Sequence, residues 1–235
     1  IYVDALDAFS AKGFLFLERL RPQDKKWNPD YPYDDLQIIF DRYQIISGIN
    51  NCHHFTPDIQ IGLDIGWGGT LRKLKEQKAL HDESHAEFYD AEIAVVEAII
   101  AFINRAGDEI EALACQEQNK QLSENLHEMA AIDHRISTEP PKTFREAIQW
   151  SNWFSMISRT YNRGSAGGQL EDLFNPFYER DIKAGILTDE EAVFYLACMF
   201  LQDSRYWQLS GPDIHDNDTT CHLSYLALDA ADKIN

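Results

Sequence analysis

The chain has 235 residues, 44% of them hydrophobic, and its 39 Asp and Glu against 21 Lys and Arg give a net charge of -18. This apolar fraction is enough to bury a sizeable core, so we expect a globular domain or a large part of one. The charge would repel phosphate backbones and anionic lipids, and no apolar run reaches the roughly 18 residues of a transmembrane helix, which argues against nucleic-acid and membrane partners and favours a cytoplasmic protein.

Most of the chain has the spacing of amphipathic helices. Phe88, Val95 and Phe102 recur at helical spacing, which places them on one face of a long predicted helix. Helices are predicted over residues 4–19, 34–47, 58–76, 83–105, 124–134 and 223–235. Helix starts are predicted at the capping boxes Ser84-x-x-Glu87, Thr143-x-x-Glu146 and Thr188-x-x-Glu191. Short strands are predicted near residues 156–161 and 205–209. The chain is therefore expected to be mainly helical.

Two irregular stretches, residues 163–181 and 211–224, interrupt the helical pattern. Neither is long enough to separate domains, so residues 1–235 are treated as one unit. Both ends of the chain fall inside predicted helices, which leads us to expect a fragment of a longer domain. The four cysteines are too scattered for a disulfide framework, which fits a reducing compartment.

Several histidines have the spacing of metal ligands without the rest of a metal motif. His81 and His85 lie four residues apart, but Asp82 and Ser84 stand where metalloprotease motifs need Glu, so a surface helix start is favoured. Glu124-x-x-His127 has the spacing of a di-iron bundle, with only an imperfect mate in Asp82-x-x-His85.

Two further metal candidates come from the loops. The loop 213–218 is rich in carboxylates, but Asp218 and Ser224 occupy the positions where a calcium hand needs Gly and Glu. A zinc set of Cys52, His54, Cys221 and His222 would require two distant loops to meet. The sequence thus predicts no metal site, and it assigns no catalytic residue within the chain.

The loop residues near His54 and Arg163 leave two interpretations open. His54 precedes Pro57 and Asp58 and could simply belong to a helix entry. Arg159, Arg163 and Arg205 flank the glycine-bearing stretches, where a guanidinium could bind a substrate carboxylate or pair with one of the many acidic side chains.

Four segments, in the same order, resemble the pyruvate formate-lyase family of glycyl radical enzymes. They are His53-His-Phe-Thr-Pro-Asp58, Pro141-Lys-Thr-Phe-Arg-Glu-Ala-Ile-Gln149, Gly168-Gln-Leu-Glu-Asp-Leu-Phe-Asn-Pro-Phe-Tyr-Glu-Arg-Asp-Ile182 and Asp218-Thr-Thr-Cys-His-Leu-Ser-Tyr-Leu-Ala-Leu-Asp-Ala230. The chain departs from the family at Gln169, which replaces Arg, at Glu171-Asp172, which replaces Asp-Gln, and at Cys221-His222, which replaces Asn-Glu. Arg163-Gly164 stands where dehydratase-like relatives carry His-Ser.

The resemblance implies an α/β fold, in which this chain is a mainly helical segment of a ten-stranded α/β barrel. It also implies a glycyl radical enzyme that abstracts hydrogen from a small polar substrate through a cysteine thiyl radical. The reaction would be that of a dehydratase, lyase, decarboxylase or formate acetyltransferase in anaerobic metabolism. Neither the catalytic cysteine loop nor the glycyl radical motif occurs in these residues, so the chain alone is expected to be inactive.

The resemblance further implies partners and site residues. His54, Arg163, Gly164 and Ser165 are expected to bind substrate as part of the cavity wall. No cofactor is expected to bind this segment directly. A separate S-adenosylmethionine-dependent iron-sulfur activase would install the radical, and a homodimer is one option for the assembly. Two alternatives stay open: a non-catalytic acidic helical binding domain, and a metal-dependent hydrolase that uses His81 and His85.

Overall fold

The computed structural model describes residues 57–159, 167–202, 207–213 and 215–234, with the side chain of residue 159 left out. All of them belong to one of the two compact units into which the chain divides, His54–Asn235. The predicted single domain over residues 1–235 also involves residues outside these ranges, and it stays a prediction. No helix in the described ranges is both long enough and apolar enough to cross a bilayer.

Helices make up 78% of the described residues, which confirms the mainly helical prediction. In chain order they are α1 (Ile59–Leu80), a short 3-10 helix (Glu83–His85), α2 (Ala86–Gln116), α3 (Lys120–Ile136), α4 (Phe144–Arg159), α5 (Leu170–Ala184), α6 (Asp189–Gln202) and α7 (His222–Lys233). Two short strands, β1 (Gly168–Gln169) and β2 (Trp207–Gln208), lie before α5 and after α6.

Helix α1 lies so close to α4 that only glycine fits at the contact. A Cβ atom on Gly62 would lie 1.9 Å from Cη2 of Trp150, whose side chain is buried. Gly66 has a φ of 64° and kinks the helix, a backbone conformation that glycine adopts without strain. Trp67 stacks on Trp150 with ring centroids 5.1 Å apart, and it extends the apolar contact beyond the glycine.

Helices α2 and α3 form a long antiparallel hairpin. The buried side of α2 carries Val96, Ile103, Gly107 and Ala114. The face marked by Phe88, Val95 and Phe102 is helical as predicted, but these three side chains are 40% to 61% exposed. The apolar spacing therefore identified a helix without identifying the side on which α3 packs.

Local side chains set the starts of the helices. The boxes at Thr143 and Thr188 are confirmed: the amide of Glu146 donates to Oγ1 of Thr143 and the amide of Glu191 to Oγ1 of Thr188, at 3.2 Å each. The box at Ser84 is wrong, because Asp82 accepts the Ser84 amide at 3.0 Å and thereby starts the 3-10 helix instead.

The hydrophobic core receives buried side chains from all of the helices α1 to α7. Its largest fully buried side chains include Phe144, Trp150, Phe174, Leu196 and Leu223. The strand predicted near residues 156–161 is wrong over its described part, because α4 continues as a helix to residue 159. The strand predicted near residues 205–209 is confirmed at β2.

The two strands are parallel, with Gly168 paired to Trp207 and Gln169 paired to Gln208. The chain passes from β1 to β2 through α5 and α6, because parallel neighbours need a long crossover connection. Phe174 of α5 packs against the ring of Trp207 in β2, with ring centroids 5.6 Å apart.

Candidate functional site

The predicted substrate-binding residues fall outside the part of the chain that the structure describes. His54, Arg163, Gly164 and Ser165 are all in undescribed segments. The first described residue after the undescribed segment 160–166 is Gly167, which leads directly into β1. The described geometry next to the predicted cavity is therefore that of β1, β2 and the segments that follow them.

Small residues are required where the chain enters β1. A Cβ atom on Gly167 would lie 2.6 Å from the ring of Trp207 in the neighbouring strand. Gly168 has a φ of 110°, a conformation that side chains with a Cβ atom rarely adopt. Two glycines of the irregular stretch 163–181 thus let β1 lie against the Trp207 ring.

Two polar side chains connect the end of β1 to the segment after β2. The side-chain Nε2 of Gln169 donates to the carbonyl of Ser210 at 3.2 Å and to Oγ1 of Thr219 at 2.9 Å. Oε1 of Glu171 accepts the Ser210 amide at 2.9 Å and the Ser224 hydroxyl at 2.5 Å. Both chain positions are departures from the family pattern, and both hold neighbouring segments in place.

Glu171 is a buried carboxylate that joins three segments. Only 4% of its surface is exposed, and its partner Ser224 also accepts the Cys221 amide at the start of α7. A buried carboxylate with two donors is expensive to disturb, since loss of either partner leaves a buried polar group unpaired. The carboxylate therefore fixes α5, the segment after β2 and the start of α7 relative to one another.

His222, which replaces a family glutamate, pairs with an acid on a neighbouring helix. Its Nε2 lies 2.9 Å from Oδ2 of Asp189, whose Oδ1 accepts the Tyr178 hydroxyl at 2.6 Å. Hydrogen bonds from Tyr178, which has the larger effect, and from His222 hold the pKa of Asp189 below its usual range. Burial and the Asp189 carboxylate raise the pKa of Tyr178, so this tyrosine stays a hydrogen-bond donor.

A cavity of about 370 Å³ lies between α3, α4 and α6. Its apolar lining includes Met129, Ile148, Trp153, Met156, Phe194 and Tyr195. Asp133 also lines this cavity, and its Oδ1 accepts hydrogen bonds from Nε1 of Trp153 and Nε2 of Gln149, at 2.6 Å each. Burial raises the pKa of Asp133, while the two hydrogen bonds oppose that effect. One feature of the sequence indicates that this acid is buried: Asp133 stands among the apolar residues Ala130, Ile132 and Ile136, which are buried on α3.

His81, His85 and Glu124 make local contacts in the structure, whereas the zinc set that includes Cys52 and His54 lies partly outside the described residues. Nδ1 of His81 lies 2.7 Å from the Gln77 carbonyl, and Nδ1 of His85 lies 3.1 Å from Oδ1 of Asp82, so both serve the local turn. Glu124 is 3.6 Å from Lys120 and does not join His127. Within the described residues one other set of three metal-capable side chains lies together, Glu111, Cys115 and His127.

Comparison with known proteins places this fold in a class. Isethionate sulfite-lyase from Bilophila wadsworthia is 28% identical over 183 residues, which are 72% of this chain and 22% of that protein. The glycyl radical subunit of 4-hydroxyphenylacetate decarboxylase from Clostridium scatologenes is 24% identical over 196 residues, 76% of this chain and 21% of that one. The chain thus spans about a fifth of the length of these curated relatives.

The structural comparison agrees with the sequence comparison. The B12-independent glycerol dehydratase of Clostridium butyricum, solved with glycerol bound, superimposes with a TM-score of 0.72 at 22% identity, over 79% of this chain and 27% of that chain. The fold is therefore a mainly helical segment of the α/β barrel that glycyl radical enzymes share. The chain belongs to the pyruvate formate lyase-like family, which matches residues 39–234.

Proposed function

We propose that this chain is a segment of a glycyl radical enzyme and forms part of the wall of its substrate cavity. The observation that supports this most is the family match over residues 39–234, because it includes every segment on which the resemblance depends. The whole enzyme would act on a small polar substrate in the cytoplasm, as part of anaerobic metabolism. Its reaction would be that of a dehydratase, lyase, decarboxylase or formate acetyltransferase.

The described fold supports a wall rather than a reacting centre. The parallel pair of β1 and β2 is a piece of sheet whose crossover runs through α5 and α6, and Phe174 of α5 packs against the Trp207 ring of β2. Glu171 and Gln169 hold the segments that follow the strands, which keeps the end of the strand pair rigid. A radical reaction needs an enclosed site that excludes water and side reactions, and a wall fixed in this way would help to provide one.

The radical itself belongs to residues outside this chain. A glycyl radical installed by the S-adenosylmethionine-dependent activase would supply, through a cysteine thiyl, the hydrogen abstraction that begins turnover. Within this chain His54, Arg163, Gly164 and Ser165 would orient the substrate. A guanidinium at Arg163 suits a carboxylate or another anionic group, because its planar donors match two acceptor oxygens.

The test uses the complete gene product, incubated without oxygen with its activase and S-adenosylmethionine. We expect an organic radical in the electron paramagnetic resonance spectrum and turnover of a small polar substrate. Arg163→Ala should leave the radical signal unchanged and should lower kcat/KM for an anionic substrate more than for a neutral polyol. The loss for the anion should be about 30-fold or more, since a desolvated charge pair is worth on the order of 2 to 5 kcal/mol.

Arg72→Ala is the matched control, because Arg72 is exposed on α1 and also carries one positive charge. It should change neither the radical signal nor the ratio of the two kcat/KM values. Absence of a radical in the activated wild type would reject the proposal. An unchanged ratio in Arg163→Ala, together with a lower melting temperature, would make Arg163 a structural residue.

The two alternatives predict different results in the same experiment. A non-catalytic acidic binding domain would give no radical and no turnover, whatever the activase. A hydrolase that uses His81 and His85 would lose activity in His81→Ala. The local hydrogen bonds of both histidines, described above, favour neither a metal site nor a nucleophile at this turn.

A further inference from the structure

We propose that Glu111, Cys115 and His127 form a zinc site that connects helices α2 and α3. Glu111 and Cys115 lie one helical turn apart near the end of α2, and His127 faces them from α3. One ligand atom from each of the three lies within 4.8 Å of the other two. This inference concerns the helical hairpin and does not depend on the proposed function.

The chemistry of the three side chains suits zinc. Thiolate, imidazole and carboxylate are the groups that bind Zn²⁺ in proteins, at roughly 2.0 to 2.3 Å from the metal. Three protein ligands leave the fourth position of a tetrahedral site to water or to an added ligand. Calcium and magnesium prefer oxygen ligands, so a site that contains Cys115 and His127 selects against both.

The geometry needs only small side-chain movements to accept the ion. Ligands of a tetrahedral zinc are about 3.5 Å apart, so the cluster must contract by about 1 Å at its widest. Nδ1 of His127 already lies 2.8 Å from Oε2 of Glu111. All three side chains are exposed, which gives them the rotational freedom to close on an ion.

The electrostatic surroundings favour a cation at this position. Residues 108–128 contain six Asp or Glu and one Lys. Cys115 is in the last turn of α2, where the unpaired carbonyl groups carry a partial negative charge. Both effects attract a divalent cation, and both would be present before the ion binds.

The alternative is that Glu111 and His127 form only an interhelical ion pair, with Cys115 as a bystander. The two possibilities differ in what Cys115 contributes. An ion pair does not need a thiol, whereas a zinc site in this geometry loses its strongest ligand when the sulfur is removed.

The test titrates the purified chain with Co²⁺ under reducing conditions and then displaces the cobalt with Zn²⁺. We expect thiolate-to-cobalt charge-transfer absorption and the visible bands of four-coordinate cobalt in the wild type. Cys115→Ser should abolish the charge transfer, and Glu111→Gln or His127→Gln should weaken binding about tenfold or more. Acidification should release the metal, because protons compete for the thiolate and the imidazole.

Cys198→Ser and Cys52→Ser are matched controls, since each removes a different thiol, and both should retain the cobalt spectrum. Zinc should raise the melting temperature of the wild type but not that of Cys115→Ser, because an ion that binds only the folded hairpin stabilises it. Circular dichroism will verify that each variant is folded, and Cys115→Ala provides a second variant at the same position. Absence of charge transfer in the wild type, or its persistence in both Cys115 variants, would overturn the proposal.

Discussion

Asp133 shows how one buried acid can report on the folded state. It lines the cavity between α3, α4 and α6 and is 1% exposed. Burial disfavours its charged form, while Trp153 and Gln149 donate hydrogen bonds that favour it. Burial dominates, so the pKa is raised above its value in the unfolded chain.

The raised pKa predicts a stability difference that depends on pH. The folded state keeps the Asp133 proton to higher pH than the unfolded state does. The stability that protonated Asp133 contributes is therefore fully present below the pKa that Asp133 has in the unfolded chain. It is lost as pH rises through the folded pKa. The melting temperature of the wild type minus that of Asp133→Asn should therefore fall as pH rises above about 4. Scanning calorimetry of both proteins between mildly acidic and neutral pH measures this difference.

Trp153→Phe supplies the control for this prediction. It removes one hydrogen bond that favours the charged form of Asp133 and so raises the pKa of this acid further. In that background the fall in the melting-temperature difference should therefore extend to higher pH. A difference that does not vary with pH, with or without Trp153, would contradict a raised pKa.

The sequence reveals residues whose hydrogen-bond partners are close in the chain and conceals those whose partners are distant in the chain. Thr143 and Thr188 were identified because each caps a helix through a glutamate three residues away. Glu171 was noted only as a departure from a family pattern, because its partners are 39 and 53 residues distant. The three proposed zinc ligands likewise come from two helices, and the sequence shows only the spacing within each.

At the scale of elements, the contact between α1 and α4 is decided by glycine. Helix propensity favours Ala over Gly by about 1 kcal/mol. At Gly62 packing opposes this preference, because the added Cβ would overlap the ring of Trp150. Helix propensity and packing thus have opposite effects on Gly62→Ala. Whether this substitution raises or lowers the free energy of unfolding shows which effect is larger.

We expect Gly62→Ala to lower the free energy of unfolding by about 2 kcal/mol, since overpacking a filled core costs about 1 to 3 kcal/mol. In a Trp150→Phe background the ring atoms that would overlap are absent, and the same substitution should be neutral or stabilising. Urea unfolding of the two single variants and the double variant measures the coupling.

Gly107→Ala on α2 is the matched control for this prediction. The nearest atoms to its added Cβ, at 3.0 Å, belong to the His134 ring, whose side chain is 41% exposed and can move. This variant should be at least as stable as the wild type. Equal losses at Gly62 and Gly107 would mean that the α1–α4 contact is looser than described.

Element boundaries were predicted well where local chemistry sets them and poorly where tertiary contacts do. The capping boxes at Thr143 and Thr188 are confirmed. At Ser84 the predicted box does not form, because the Ser84 amide donates to Asp82 instead. The residues near 156 have strand-like composition, yet α4 continues as a helix through them. The exposed face of α2 is as apolar in pattern as the buried one, so spacing alone could not choose between them.

At the scale of the whole molecule, family resemblance carried what local patterns could not. Helical spacing predicted the class of structure, but nothing in it predicts that β1 and β2 pair in parallel across about 40 residues. The four resembling segments implied an α/β barrel, and the comparisons confirm that fold. The predicted substrate-binding residues stay predictions, because all four lie outside the described part of the chain.

The net charge of -18 leads to a last prediction about the whole chain. Like charges on a compact molecule repel one another more strongly than on an expanded one, so charge of this size opposes folding. The described ion pairs act in the other direction, but pairs such as Lys75–Glu97 and Lys120–Glu124 are exposed and are worth about 0 to 1 kcal/mol each. Repulsion should therefore dominate the response to salt.

We expect the melting temperature to rise as NaCl is increased from about 0.01 M to about 0.3 M, because the screening length falls from about 30 Å to below 10 Å over this range. The rise should level off once the screening length is shorter than the spacing of surface charges. KCl should give the same curve, which separates screening from binding of a particular cation. A melting temperature that falls with added salt would show instead that ion pairs outweigh the repulsion among the excess acidic groups.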